Sequence, residues 1–74
     1  MTTATEAVLY THPDCEYSAA LKAELDQAGA QYREINLAEE PDFWAEVERL
    51  SGGERITPVM VEGELVTVGF HGVG

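Results

Sequence analysis

The chain reads as a small α/β domain with a mixed sheet, its elements running β-α-β-α-β-β. Three observations carry that reading. A helical stretch free of glycine and proline separates two β-favouring runs, a proline-opened helical stretch follows, and two β-branched runs flank Glu62-Gly63-Glu64.

Ala7-Val8-Leu9-Tyr10 is a short apolar run and predicts a buried strand, ended by the turn chemistry of Thr11-His12-Pro13-Asp14. Cys15 to Ala28 places Tyr17, Leu21, Leu25 and Ala28 at helical spacing. Asp14 stands where an N-cap belongs and Gly29 where a C′ residue belongs. Tyr32 to Leu37 mixes Tyr, Ile and Leu with polar residues and predicts a second strand, parallel to the first through a right-handed crossover. Pro41 opens a second helix, with acidic residues at its positive end. Phe43, Val47 and Leu50 form one face of it with Trp44 alongside, and Ser51-Gly52-Gly53 stops it. Val59-Met60-Val61 and Leu65-Val66-Thr67-Val68 then predict a hairpin.

A chain of 74 residues is expected to be one domain over 1–74, with residues 1–6 as a flexible N-terminus. Such a chain buries only about 60% of its unfolded surface, so its stability is expected to be thin. The 45% apolar content is that of a folded protein. Fourteen acidic residues stand against four basic ones, for a net charge of −10. That balance argues against nucleic acid and against anionic membrane surfaces, because Lys22, Arg33, Arg49 and Arg55 are scattered. A single cysteine, Cys15, excludes an internal disulfide framework and an all-cysteine metal site within one chain. Residues 1–6 have neither the basic nor the apolar region of a secretory signal, and no apolar run approaches the ~18 residues that span a bilayer. The expected compartment is the cytoplasm, where a lone thiol stays reduced.

Cys15 follows a strand and falls in the first turn of a helix. Unpaired backbone N–H groups and the positive end of the helix dipole favour a thiolate there. Asp14 and Glu16 oppose that effect, and a protonated His12 offsets them. The alternative is a small apolar residue packed under the helix.

The segment Leu9-Tyr10-Thr11-His12-Pro13-Asp14-Cys15-Glu16-Tyr17-Ser18 resembles the active-site segment of glutaredoxins, where a Cys-Pro-Tyr-Cys or Cys-x-x-Ser motif opens the first helix. Ile56-Thr57-Pro58-Val59 resembles the family's cis-proline loop. Glu62-Gly63-Glu64-Leu65 followed by Gly69-Phe70 resembles its last hairpin and the turn bordering the glutathione groove. The likeness covers residues 7 to 72 and implies a minimal thioredoxin-like fold of the monothiol Cys-x-x-Ser type.

The resemblance implies a role for each matching residue. Cys15 is the nucleophile. Tyr17 shields the thiolate or simply packs in the core, and Ser18 takes the place of a resolving cysteine, either hydrogen-bonding the thiolate or standing as an ordinary early-helix serine. A cis bond before Pro58 would turn the Thr57 backbone toward an extended peptide such as glutathione; the alternative is a trans-proline starting an edge strand. His12 stands where many members carry a lysine. Arg55 pairs with a glutathione carboxylate or is a solvated surface arginine, and Gly69 and Phe70 border the groove. His71 is a groove residue or a loop residue.

Departures from the family pattern lie at His12, at the turn Val68-Gly69-Phe70-His71-Gly72, and at the ending. The turn lacks the Gly-Gly start and acidic pair that engage glutathione. It is closer to the Ser-Gly-Phe turn of the glutaredoxin-like reductant that serves ribonucleotide reductase. Family members continue into a third helix, so its absence is expected to leave apolar surface that a homodimer or another partner covers.

These readings imply a thiol–disulfide oxidoreductase acting on protein disulfides, with glutathione or another low-molecular-weight thiol as co-substrate and no tightly bound organic cofactor or metal. Two alternatives differ in class. One is a [2Fe–2S] carrier, in which two protomers and two glutathione thiols supply the ligands. The other is a non-catalytic module whose groove captures an extended peptide.

Overall fold

The computed structural model describes residues 7–70. Expectations for residues 1–6 and for His71 and Gly72 therefore lie outside the described residues. Among these, four strands and two helices follow one another as β1 (Ala7–Thr11), α1 (Glu16–Gln27), β2 (Tyr32–Asn36), α2 (Trp44–Leu50), β3 (Val59–Glu62) and β4 (Leu65–Val68). This is the expected order, and a single 3₁₀ turn at Pro41–Phe43 leads into α2.

The strands lie side by side as β2-β1-β3-β4. β1 runs parallel to β2 and antiparallel to β3, and β3 and β4 form the hairpin, so the sheet is mixed. The two-residue period of a strand sorts its side chains between two layers. Tyr10 sits beside Ile35 and Val59, and Val8 beside Val61, on the face that meets α2. Tyr10, Ile35, Leu37, Val47 and Val59 are the buried centre of that layer. Phe43, Trp44, Leu50 and Ile56 close it from the α2 side.

Leu9 and Met60 pair on the opposite face, where Leu9 is fully buried. Among the described residues that face is open toward β4, and Leu65 stands 62% exposed on it. Glu62 and Thr67 share that side of the hairpin with it.

Two details of α1 differ from the sequence reading. Its N-cap is Cys15, not Asp14, because the Cys15 N–H bonds the His12 carbonyl at 3.0 Å and closes a turn that delays the helix by one residue. Its inward stripe starts at Ser18 instead of Tyr17: Ser18 is 2% exposed, Tyr17 is 36% exposed, and Ala28 is exposed. The helix ends as expected. Gly29, at φ +71°, donates to Asp26 and Ala30 donates to Leu25, a pairing that needs a left-handed residue at C′. No described helix is long and apolar enough to cross a membrane.

Candidate active site

Cys15 sits where β1 hands over to α1, with extended backbone angles of φ −100° and ψ 111°. Its side chain is half-buried, so it is neither a core residue nor a freely solvated one. The Sγ atom lies 3.5 Å from the Thr57 carbonyl oxygen, to which the neutral thiol donates. This contact joins positions 42 residues apart and brings two of the expected segments together.

The Thr57–Pro58 bond is cis, and both residues are buried. The Gly69 N–H donates to the Pro58 carbonyl at 2.7 Å, which seats the turn after β4 against the proline. Gly69 holds φ at +83°, a conformation costly for any residue bearing a Cβ. Phe70 follows it, partly buried. Thr57, Pro58 and Gly69 therefore form one linked wall beside Cys15.

Ser18 supports the sulfur from beneath. Its Oγ accepts the His12 N–H at 3.3 Å, which leaves the hydroxyl hydrogen free to donate. Burial pushes the Cys15 thiol up, but hydrogen bonds from the Thr57 side chain, the Ser18 amide and hydroxyl and the Tyr17 amide outweigh it. Cys15 consequently titrates below the ordinary cysteine value. No cap bond of full geometry forms to Sγ, yet the amides of Tyr17 and Ser18 face it and favour the charged form. The Thr57 carbonyl acts in the other direction, since it stabilises the thiol, but it is one acceptor against four donors. Hydrogen bonds, rather than the charges of Asp14, Glu16 or His12, account for the lowering.

His12 and Arg55 both lean on Trp44. The His12 ring centroid is 6.0 Å from that of Trp44, and the Arg55 guanidinium lies 5.3 Å over the indole. The Asp14 amide donates to His12 Nδ1 at 3.1 Å, and the Asp14 carboxylate lies 4.0 Å from the same nitrogen. Arg55 Nε donates to Glu48 at 2.6 Å. The guanidinium is therefore paired and stacked, on a side chain that stays 65% exposed at the surface. Tyr17 flanks the site from the exposed side of α1.

A cleft of about 220 Å³ opens on the α1 side of Cys15, lined among others by Thr11, Ser18, Lys22, Glu34 and Asn36. The buried Thr11 hydroxyl donates to Glu34 at 2.6 Å, and Lys22 meets the other Glu34 oxygen at 3.0 Å. Burial raises the Glu34 carboxyl, while the Thr11 hydroxyl and the Lys22 ammonium lower it further, for a net depression. A depressed carboxyl stabilises the fold above its unfolded-state pKa, about 4.3, and loses that contribution as pH falls through the folded value. Glu34→Gln is therefore expected to flatten the loss of stability between about pH 5 and 3. Urea melts across that range test it, and equal acid sensitivity of variant and wild type would refute it.

Trp44 and the Thr11–Glu34–Lys22 network were not singled out as functional by sequence reasoning. Trp44 read as a flank of the α2 core face, and β2 gave no sign that Glu34 turns toward α1. Among the described residues no three His, Cys, Asp or Glu side chains gather as a metal site.

A family model described as Glutaredoxin matches residues 7–66. No curated protein matches significantly. Among solved structures, a glutaredoxin from Archaeoglobus fulgidus is 21% identical, with a TM-score of 0.78 over 89% of this chain and 76% of that one. At that identity it speaks for the fold alone. The glutaredoxin-like NrdH-redoxin of Escherichia coli, described as having a thioredoxin-like activity profile, is 32% identical with a TM-score of 0.73, covering 88% of this chain and 83% of its own. A glutaredoxin from Brucella melitensis is 31% identical with a TM-score of 0.72, covering 92% and 73%. With the strand order, the cis-proline beside Cys15 and the match over residues 7–66 in agreement, the chain belongs to the glutaredoxin family.

Proposed function

We propose that the protein is a monothiol thiol–disulfide oxidoreductase whose nucleophile is Cys15. The observation that carries this reading is the half-buried Sγ held at a helix N-cap, with its titration lowered by surrounding donors and the Thr57–Pro58 wall 3.5 Å away. The Cys15 thiolate attacks one sulfur of a mixed disulfide, such as one between glutathione and a protein. A new S–S bond forms to Cys15, the old one breaks, and the departing sulfur leaves with the electron pair and takes up a proton. A second, external thiol then attacks the Cys15 mixed disulfide and returns the thiolate, so the net result is one disulfide reduced and one formed.

Ser18 cannot form a disulfide, which is why the second step needs an outside thiol. Glutathione or another low-molecular-weight thiol serves as co-substrate along the wall of Thr57, Pro58, Gly69 and Phe70, with His12 and Arg55 at its rim. No tightly bound organic cofactor takes part. A reduced lone thiol suits the cytoplasm.

Turnover of hydroxyethyl disulfide and of a glutathionylated protein, with glutathione as the reductant, tests the reading against Cys15→Ser. Wild-type turnover no higher than that of the variant would end it. The pH dependence of Cys15 alkylation gives a second measure. A midpoint below the free-cysteine value of about 8.5 is expected, whereas one above it would favour a non-catalytic binding module.

A further inference from the structure

We infer that Cys15 exchanges preferentially with protein disulfides set among lysine and arginine side chains, and that it discriminates against disulfides whose sulfurs are flanked by carboxylates. The inference rests on the exchange reading above and names its substrate class.

Three observations lead there. The chain carries −10, with four basic residues in all. Three of those four are already spent in ion pairs: Lys22 with Glu34, Arg49 with Glu46 and Arg55 with Glu48. The fourth, Arg33, lies exposed on the edge strand β2. Lastly, the residues on either side of the nucleophile are acidic and open to solvent. The Asp14 side chain is 92% exposed, and Glu16 is exposed in the first turn of α1.

His12, beside the sulfur, is turned toward Asp14, whose amide donates to its Nδ1 at 3.1 Å. An approaching disulfide therefore meets two solvent-exposed carboxylates flanking the sulfur, with His12 4.0 Å from that of Asp14, and no lysine or arginine among the described site residues without an acidic partner. The lowered titration of the thiolate comes from short-range hydrogen bonds. Charged groups beside a substrate's sulfurs would meet the exposed Asp14 and Glu16 side chains through water. There a single-sign field raises the local concentration of opposite charge, and encounter rates respond by about ten- to a thousandfold in strongly steered systems.

In the mixed disulfide of the proposed reaction, the protein half supplies the positive charge. The Cys15 thiolate forms the new S–S bond, the original S–S bond breaks, and the displaced sulfur leaves as a thiolate that is then protonated.

Single-turnover exchange at fixed pH tests the inference with three disulfides: cystamine (dicationic), hydroxyethyl disulfide (neutral) and 3,3′-dithiodipropionate (dianionic). Each rate is divided by that of 2-mercaptoethanol with the same disulfide, which removes intrinsic reactivity. A further pair of peptide disulfides differs only in lysine against glutamate flanks. At an ionic strength of ~0.01 M the corrected cation-to-anion ratio is expected to exceed about tenfold, and to fall toward unity near 1 M salt. The double variant Asp14→Asn with Glu16→Gln is expected to lower it several-fold at low salt. Because a ratio is read, any change in the Cys15 titration cancels.

Failure of all three small disulfides to react faster than Cys15→Ser controls would remove the exchange reading itself. Reaction with hydroxyethyl disulfide but equal corrected rates across charge, or the anion reacting faster, would overturn the selectivity alone. So would a preference that salt and the double variant leave unchanged, or one absent from the peptide pair.

Discussion

Leu37→Ala is expected to remove a large share of the folding stability, and Leu65→Ala almost none. Leu37 is 1% exposed and shares the buried centre with Tyr10, Ile35, Val47 and Val59. Its amide also donates to the Thr11 carbonyl at 2.9 Å, so the backbone cannot easily shift to fill a void. Truncating a leucine in such a place costs about 2–5 kcal/mol, from lost apolar burial and the cavity left behind. At about 0.05–0.15 kcal/mol per residue, a domain of 74 residues has only ~4–11 kcal/mol in total. Leu65 is 62% exposed on the open end of the sheet, where the same truncation removes little contact and stays within about 0.5 kcal/mol. Urea melts compare the two. With an m-value of about 1 kcal/mol/M, the Leu37 variant melts roughly 2–5 M lower, and similar midpoints for both variants would contradict this account of the core.

The same contrast shows why the fold was largely legible in the sequence. Buried strands announce themselves by β-branched and apolar runs, and helix ends by glycine where only a left-handed residue fits. Ala7–Thr11, Tyr32–Asn36 and the 59–68 hairpin stand where those signals put them. The misreadings in α1 have a common origin. Tyr17, Leu21, Leu25 and Ala28 keep helical spacing, but spacing does not say which neighbour the stripe meets. The sheet beneath α1 offers Leu9 alongside Thr11 and Glu34, a partly polar surface, and Ser18 fits against it better than the bulk of Tyr17.

The site was legible as a set of segments and illegible as a set of contacts. Cys15 and Thr57 are 42 positions apart, and their approach follows from β1 lying next to β3, which the order of elements alone does not dictate. Likewise, the charge logic expected around the sulfur gives way to hydrogen bonding. Asp14 and Glu16 are solvated and His12 is occupied by an amide, so local donors decide the titration of Cys15.

Ser18→Ala is accordingly expected to raise the Cys15 titration more than removal of any nearby charge. The variant deletes a hydroxyl donor to the thiolate and orphans the His12 N–H that the hydroxyl now accepts. Losing a donor that favours the charged form raises the pKa of the thiol. A more basic thiolate is also a better nucleophile, so the exchange rate near pH 7 falls by less than the thiolate fraction does, roughly three- to tenfold. Above the titration of both proteins the order reverses, with the variant reacting faster. That crossing separates lost thiolate stabilisation from simple damage to the fold, which lowers the rate at every pH. The sign of the stability change agrees. A thiol with a lowered folded-state pKa adds stability as pH rises from that value to the unfolded one near ~8.5, and the variant should gain less across that interval. Ser18→Thr keeps the hydroxyl and is expected to restore the lowered titration. Rate profiles of the three proteins from pH 5 to 10 decide the matter, and superimposable titrations of wild type and Ser18→Ala would leave the hydroxyl with no part in activating Cys15.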